Sequence, residues 1–514
     1  MIDDIWKTFQ NEKYEDAFAM LAQALAAQDG VTCLHVTGLS LLQLRNYDDG
    51  FRLLKTAVAF RPTTAQIYID VCLMAERLGR ADDLEYFVTR GLRDFPSDVS
   101  LLRHQANLFL IRQDYPQAIA AYERLLTGNP DDIRSWINLG NTYRVLTQFS
   151  KADDAYARAA KLDPDDISLC VNRSGLFTEQ GRLTEAIAYL EQGIDDADAK
   201  FMLSLLLLGT GDYERGFDLH RDRWHSSLFL NTVIPPRPFE RLSDVSDKQI
   251  CVLREGGFGD VFQFMRYLPL IAEMAQEVLF HPLPSEFRLL RENLPENITL
   301  EVAPDTNSIN VSDDFAYTTA LLDLPYWFGT RLDNIPADIP YIHVPQTIIQ
   351  RHRLPFTAKK RIGLVWAGAP QTGINMRSYD QQRSIKLEDL NCLAEFSDRV
   401  TFYSLQFDDS KRVNFETFNV IKTIESDFDW MDTAAIVAQM DLVISVDTAV
   451  LHLAAAMGIT TWVLSRFNPC WRWHRNQKTS PWYPNVVKVY GQTQFGDWSE
   501  PISNLKHDME IWLG

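Results

Sequence analysis

The chain has 514 residues, 46% apolar and 23% charged, a balance that suits a globular protein of roughly two to four domains with full cores. Its net charge of -19 repels phosphate backbones over most of the surface and excludes wholesale nucleic-acid binding, while leaving room for a local basic pocket that takes a small anion. The six cysteines form no CxxC pair and sit among apolar neighbours, which predicts reduced, mostly buried thiols in a cytoplasmic protein.

The start, Met1-Ile-Asp-Asp-Ile-Trp, lacks the charged-then-apolar order of a signal peptide. The longest apolar run, Phe201–Leu208, is far too short to span a bilayer, so no stable membrane insertion is expected. Four prolines, Pro62, Pro96, Pro130 and Pro164, then stand 34 residues apart, the period of the tetratricopeptide repeat. With Ile133 as the first position, Trp136, Leu139, Gly140, Tyr143, Ala152, Tyr156, Ala159 and Pro164 fall where that pattern wants them. Small residues at Gly140 and Ala152 let two helices of a hairpin approach closely. Large ones at Trp136, Tyr143 and Tyr156 fill the space around them. The proline ends the second helix because it has no N–H to donate.

The preceding repeat carries Leu102, Ala106, Phe109, Ala118 and Tyr122 in register, and the following one Ser174, Phe177, Ala186 and Leu190. Met1–Gly30 resembles a partial repeat, and Leu203–Leu208 with Gly211–Phe217 reads as a last, shortened hairpin. The spacing predicts a helical repeat domain over 1–230 that stacks into a superhelix. Such a groove suits a protein acceptor or partner; a packing scaffold or a homodimer through the repeats is the alternative.

Pro235-Pro-Arg-Pro238 breaks the helical pattern, giving a linker over 231–248. Short β-rich runs then alternate with helical stretches: Ile250–Leu253, Val278–Phe280, Ile362–Trp366, Thr401–Leu405, Leu442–Val446 and Thr461–Leu464. Alternation of this kind predicts parallel sheets with crossover helices. The proline-rich run Pro340–Pro355 divides them into two Rossmann-like subdomains, 249–345 and 346–514, facing a cleft at the carboxyl ends of their strands.

Three loops follow strands at that edge. Arg254-Glu-Gly-Gly-Phe-Gly-Asp260 places Gly257 and Gly259 for close approach of a ligand, with Asp260 at or beside a helix N-cap, either facing the cleft or simply capping. Gly363-Leu-Val-Trp366-Ala-Gly368 is followed by Arg377, Arg383 and Lys386, which can meet a diphosphate or lie on the surface as ordinary cations. The third runs from Asp441 into Asp447-Thr448-Ala449-Val450, with His452 one turn into the helix. Its N-terminus is a ready phosphate site that Asp447 or Thr448 can cap, and His452 is either packed or functional. Trp471-Arg-Trp-His-Arg475 can stack a ring or plug an interface. No HExxH or other metal-ligand spacing, GxSxG elbow or Walker loop occurs, so no metal is assigned.

Taken together, Glu255-Gly-Gly-Phe-Gly-Asp-Val-Phe-Gln-Phe-Met-Arg-Tyr-Leu-Pro269, Gly363–Gly368, Arg383-Ser-Ile, Asp447–His452 and Trp471-Arg-Trp473 with Ser480–Pro484 resemble bacterial glycosyltransferases of the heptosyltransferase-like group fused to tetratricopeptide repeats. The layout is also similar to O-GlcNAc transferases. The resemblance covers about half the chain. It implies a GT-B fold and inverting, metal-independent transfer from a nucleotide-sugar co-substrate, with no other cofactor. Asp260 would be the base. Gly257, Gly259, Trp366, Gly368, Arg383, Asp447, Thr448, Ala449, Val450 and His452 would bind the donor, and Gln406 would touch the nucleoside. The family often has lysine at the Arg383 position and an acidic residue near Gln406, so heptose and ADP are not inherited. The expected acceptor is a protein such as flagellin or another surface protein. Transfer to lipopolysaccharide or exopolysaccharide, or a scaffold with a degenerate transferase domain, are the alternatives.

Overall fold

A computed structural model describes residues 30–43, 46–60, 64–226, 235–303, 315–368, 382–407 and 419–514. The expected partial repeat at Met1–Gly30, Pro62 and Arg377 fall outside the described residues, apart from Gly30 itself. The helical region comprises α1 (Gly30–Gln43), α2 (Tyr47–Ala59), α3 (Gln66–Arg77), α4 (Ala81–Asp94), α5 (Val99–Ile111), α6 (Tyr115–Gly128), α7 (Ile133–Val145), α8 (Phe149–Leu162), α9 (Ile167–Glu179), α10 (Leu183–Glu191), α11 (Ala197–Thr210) and α12 (Tyr213–His220). Pro96, Pro130 and Pro164 each stand two residues beyond the end of α4, α6 and α8. Asp98 and Asp114 cap α5 and α6 by accepting the N–H of Leu101 and Gln117, each cap contributing about 1 kcal/mol.

The repeat spacing has a steric basis. A Cβ on Gly140 would lie 2.6 Å from the Tyr156 ring, so the glycine makes the slot that the tyrosine fills. The buried Tyr156 hydroxyl donates to Asn141 Oδ1 at 2.6 Å. One repeat earlier, Tyr122 donates to Asn107 in the same way. Each ring thus buries its apolar body while its hydroxyl keeps a partner.

The rest of the chain builds two sheets. Strands β1 (Gln249–Leu253), β2 (Glu277–Phe280), β3 (Ile298–Leu300) and β4 (Tyr317–Ala320) pair in parallel in the order β3-β2-β1-β4. Strands β5 (Lys360–Val365), β6 (Val400–Ser404), β7 (Val420–Lys422), β8 (Leu442–Val446), β9 (Thr461–Ser465) and β10 (Val487–Gly491) form a second parallel sheet, ordered β10-β9-β8-β5-β6-β7. Every residue of β8 and β9 is buried, as parallel strands covered on both faces require. Of the helices here, α13 (Phe258–Phe264) follows β1, α14 (Trp430–Val437) precedes β8, α15 (Ala449–Ala456) follows it, and α16 (Ser499–Leu513) ends the chain.

Compactness and helical pattern divide the chain at different places. Helices run to His220, close to the expected limit of 230, but the chain divides into compact units between Leu176 and Phe177. The last helices belong to the α/β unit because their side chains enter its core. Tyr213 stacks on Trp482 at 5.8 Å and accepts its indole N–H at 2.8 Å, and Phe217 packs edge-on against Trp471.

Candidate functional site

In each sheet the strand order reverses once, between β1 and β4 and between β5 and β8. Open α/β sheets bind ligands in the crevice such a reversal leaves at the carboxyl ends of the strands. The residues just beyond β1, β5, β6 and β8 line one cleft of about 820 Å³. All of the residues singled out in the sequence as base or donor contacts lie on its wall: Gly257, Gly259 and Asp260 from the first sheet, Trp366, Gly368, Arg383 and Gln406 beside β5 and β6, and Asp447, Thr448, Ala449, Val450 and His452 after β8.

Asp260 is the third residue of α13, with Gly257 as the N-cap. Its Oδ2 accepts the Gly257 N–H at 2.7 Å. Its Oδ1 accepts from Arg472 Nη2, a contact that joins the two sheets. Gly256 has φ +73°, and a Cβ there would lie 2.5 Å from Asp260 Oδ2, so this turn needs glycine on two counts. Gly259 serves helix packing. A Cβ on it would come 2.8 Å from the His452 ring and 3.4 Å from Ala449 Cα, where α13 crosses α15.

On the opposite wall, Arg383 donates from Nη1 to the Asp447 carbonyl at 3.2 Å. A Cβ on Gly368 would lie 2.1 Å from its Nη2, so the close approach expected there is made by this guanidinium. The expected cap of α15 does not form. Thr448 is the N-cap in extended backbone, yet its Oγ1 sits 3.0 Å from Ser445 Oγ and no side chain caps the helix. Among the described residues, the first-turn amides of α15 keep no capping side chain, which is what an anion site at a helix terminus requires.

Two of the expected donor contacts also serve the fold. Gln406, expected at the nucleoside, lines the cleft, and its amide bridges Ala367, accepting from the N–H at 3.2 Å and donating to the C=O at 2.9 Å. That pairing extends the β5–β6 ladder by one side chain. Trp366 continues the alternation of Ile362 and Leu364, so its indole is buried in the cluster on their face of the sheet.

His452 is neither free nor exposed. Its Nδ1 lies 2.9 Å from the Tyr483 hydroxyl, its ring stacks on Trp473 at 5.3 Å, and Nε2 stands 3.8 Å from Asp447 Oδ1. Burial, with the charges of Arg472 and Arg266 added, holds its pKa well below the usual imidazole value. The ring is therefore neutral near pH 7.

Three features of the site escape a reading of the sequence. The first is the set of partners of Arg472, a member of the Trp471–Arg475 stretch: it is buried and bound to Gln263 and Cys470 as well as Asp260. The Trp471–Arg475 stretch behaves as the interface plug, since Trp473 is fully buried and Trp471 stacks on Phe264. The second is an aromatic wall in which Phe258 and Phe407 each sit 5.0 Å from Trp430. The third lies beneath the glycine turn. Arg254 grips Glu286 through Nε and Nη2, and Glu255 is held by Arg223. Aromatic residues in a loop after a strand and at two helix starts are the visible signal for the second; nothing local signals the ion pairs.

Comparison with known proteins supports the helical part. Tetratricopeptide repeat models match residues 84–133 and 133–166, so the chain contains tetratricopeptide repeats. The chain is 21% identical to Protein FlbA of Caulobacter vibrioides over 510 residues, covering 92% of this chain and 83% of that protein. Among solved structures, TTC0263, a thermophilic TPR protein of Thermus thermophilus, is 17% identical with a TM-score of 0.32, covering 35% of this chain and 99% of its own. PilW, a type IV pilus biogenesis factor, is 16% identical with a TM-score of 0.35, covering 40% and 96% respectively. Among the described residues no helix is long and apolar enough to cross a membrane.

Proposed function

We propose that the two-sheet region is a GT-B glycosyltransferase that moves a sugar from a nucleotide-sugar to a protein acceptor recruited by the repeats. The observation that carries this reading is the cleft holding Asp260 on one wall and Arg383 beside an uncapped helix terminus on the other. A hydroxyl is a poor nucleophile, and a carboxylate in reach takes its proton as the glycosidic bond forms. Here Gly257 N–H and Arg472 orient that carboxylate. The departing nucleoside diphosphate carries negative charge, which Arg383 and the α15 terminus would meet without a metal. Direct displacement at the anomeric carbon inverts its configuration. Tetratricopeptide arrays commonly bind protein, which makes a protein acceptor the natural partner.

One observation favours a second reading, a non-catalytic scaffold: both carboxylate oxygens of Asp260 already have partners. Thermal unfolding of the full chain with UDP, GDP, ADP and CMP compounds and their sugar conjugates separates the two. A nucleotide present at 100 times its Kd stabilises the native state by about 2.7 kcal/mol. The transferase reading expects one nucleotide class to stabilise and its sugar conjugate to be cleaved, with Asp260→Asn abolishing cleavage while binding persists. No stabilisation by any of them, or full cleavage by Asp260→Asn, sinks it.

A further inference from the structure

The turn that carries Asp260 is anchored from beneath by a charge cluster that does not line the cleft. Arg223 lies in the short helical turn Arg221–His225, directly after α12. Its side chain is completely buried. Nε donates to Glu255 Oε1 at 2.6 Å and Nη2 to Oε2 at 2.5 Å, a two-pronged grip on one carboxylate. Nη1 donates to Asp323 Oδ1 at 2.5 Å and to the His220 carbonyl at 2.9 Å. Asp323 follows β4, so one guanidinium ties the end of the helical hairpins to the loops after both β1 and β4.

Burying these charges carries a desolvation penalty that well-packed apolar side chains would avoid, so the arrangement is a poor way to gain stability alone. What it does fix is geometry. Glu255 is followed at once by Gly256 at φ +73° and by Gly257, whose N–H holds Asp260 Oδ2. A single residue, Gly256, separates the clamped Glu255 from that N–H.

We propose that Arg223 is a positioning residue for Asp260: by clamping Glu255 it fixes the Gly256–Gly257 turn and couples the last helical hairpin to the carboxylate in the cleft. The inference rests on the reading of Asp260 as the base. It makes the end of the helical region part of the catalytic apparatus as well as a route to an acceptor.

The test uses the full chain with Arg223→Lys, which keeps the charge and loses the fork, and Glu255→Gln, which leaves Arg223 and Asp323 as a balanced pair and guards against a folding failure of the first. Three quantities are read: hydrogen exchange at Gly256–Asp260, binding of UDP, GDP, ADP and CMP, and release of free nucleotide from the matching sugar conjugate. Both variants should exchange those amides roughly tenfold faster than the parent. Nucleotide affinity should hold, since Arg383 and α15 are untouched. The kcat should fall by about 100-fold with the donor KM unchanged, the signature of a misplaced group. Loop exchange equal to the parent in both variants overturns the proposal, and so does faster exchange with full turnover. A parent chain that releases no nucleotide from any conjugate removes the base reading itself, and the positioning role with it.

Discussion

Acidification provides a quantitative test of the buried charges. His452 and His220 are both buried, and burial with nearby arginine charge holds each imidazole well below its ordinary pKa. On unfolding, each regains a value near 6.5. Below that pH the unfolded chain therefore binds two protons that the folded chain refuses, and stability falls with pH. Glu255 acts in the opposite sense. Burial pushes its carboxyl up to about 7 against the pull of Arg223, so the folded chain binds one proton that the unfolded chain binds only near 4.3. Between pH 6.5 and 4.5 these three groups leave a net difference of one proton, and each proton is worth about 1.4 kcal/mol per pH unit. These three groups give a loss of about 3 kcal/mol over the two units, and His474, whose pKa burial also lowers, adds to it. Glu255→Gln deletes the opposing group and should add about 3 kcal/mol more. Urea unfolding followed by tryptophan fluorescence reads the α/β unit, because ten of the twelve tryptophans lie between Trp224 and Trp512. A flat profile in the parent, or the same slope in Glu255→Gln, would refute the assignment of protons.

Three further outcomes are expected. Gly259→Val drives a side chain into His452 and Ala449 at the α13–α15 crossing, and should cost about 1–3 kcal/mol in urea unfolding with loss of nucleotide binding. Gly368→Ala meets only the movable tip of Arg383. Its melting temperature should match the parent while nucleoside diphosphate affinity, read by titration calorimetry, drops by about tenfold with the loss of one charged contact. A chain beginning at Lys248 lacks Arg223 and uncovers Trp471 and Trp482. It should fail to unfold cooperatively, with about 3–5 kcal/mol lost from the orphaned carboxylates alone, whereas a chain beginning at Ile167 keeps the transition.

Local pattern carries the repeats and the sheet edges. The Gly140–Tyr156 slot follows from the repeat spacing, and the apolar runs leading to Leu253, Val365 and Val446 end where the cleft begins. The start of α15 at Ala449 is legible for the same reason: a buried strand runs straight into small polar residues. Strands β3, β4, β7 and β10 are not. They are three to five residues long, and all four lie at sheet edges, where partial exposure admits residues such as Lys422 and Lys488. The charge partners are illegible for another reason. Arg472 meets Asp260 across 212 positions and Arg223 meets Asp323 across 100, and only the finished fold brings such residues together. The backbone partner of Gln406 is illegible too, because sequence reports a polar side chain at a strand end without reporting that it pairs with Ala367.

The tyrosine–asparagine ties in the repeats bear on how this region could have grown. Tyr122 reaches Asn107 and Tyr156 reaches Asn141, in both cases 15 residues back along the chain. Each donor and acceptor is encoded inside a single hairpin. A tandem duplication of one 34-residue unit therefore copies a buried hydroxyl together with its acceptor, and strands neither. Asn107 also bonds Glu76 in the hairpin before and Asn138 in the hairpin after, so a change in length by whole hairpins keeps the interior paired only where the new neighbour repeats those partners.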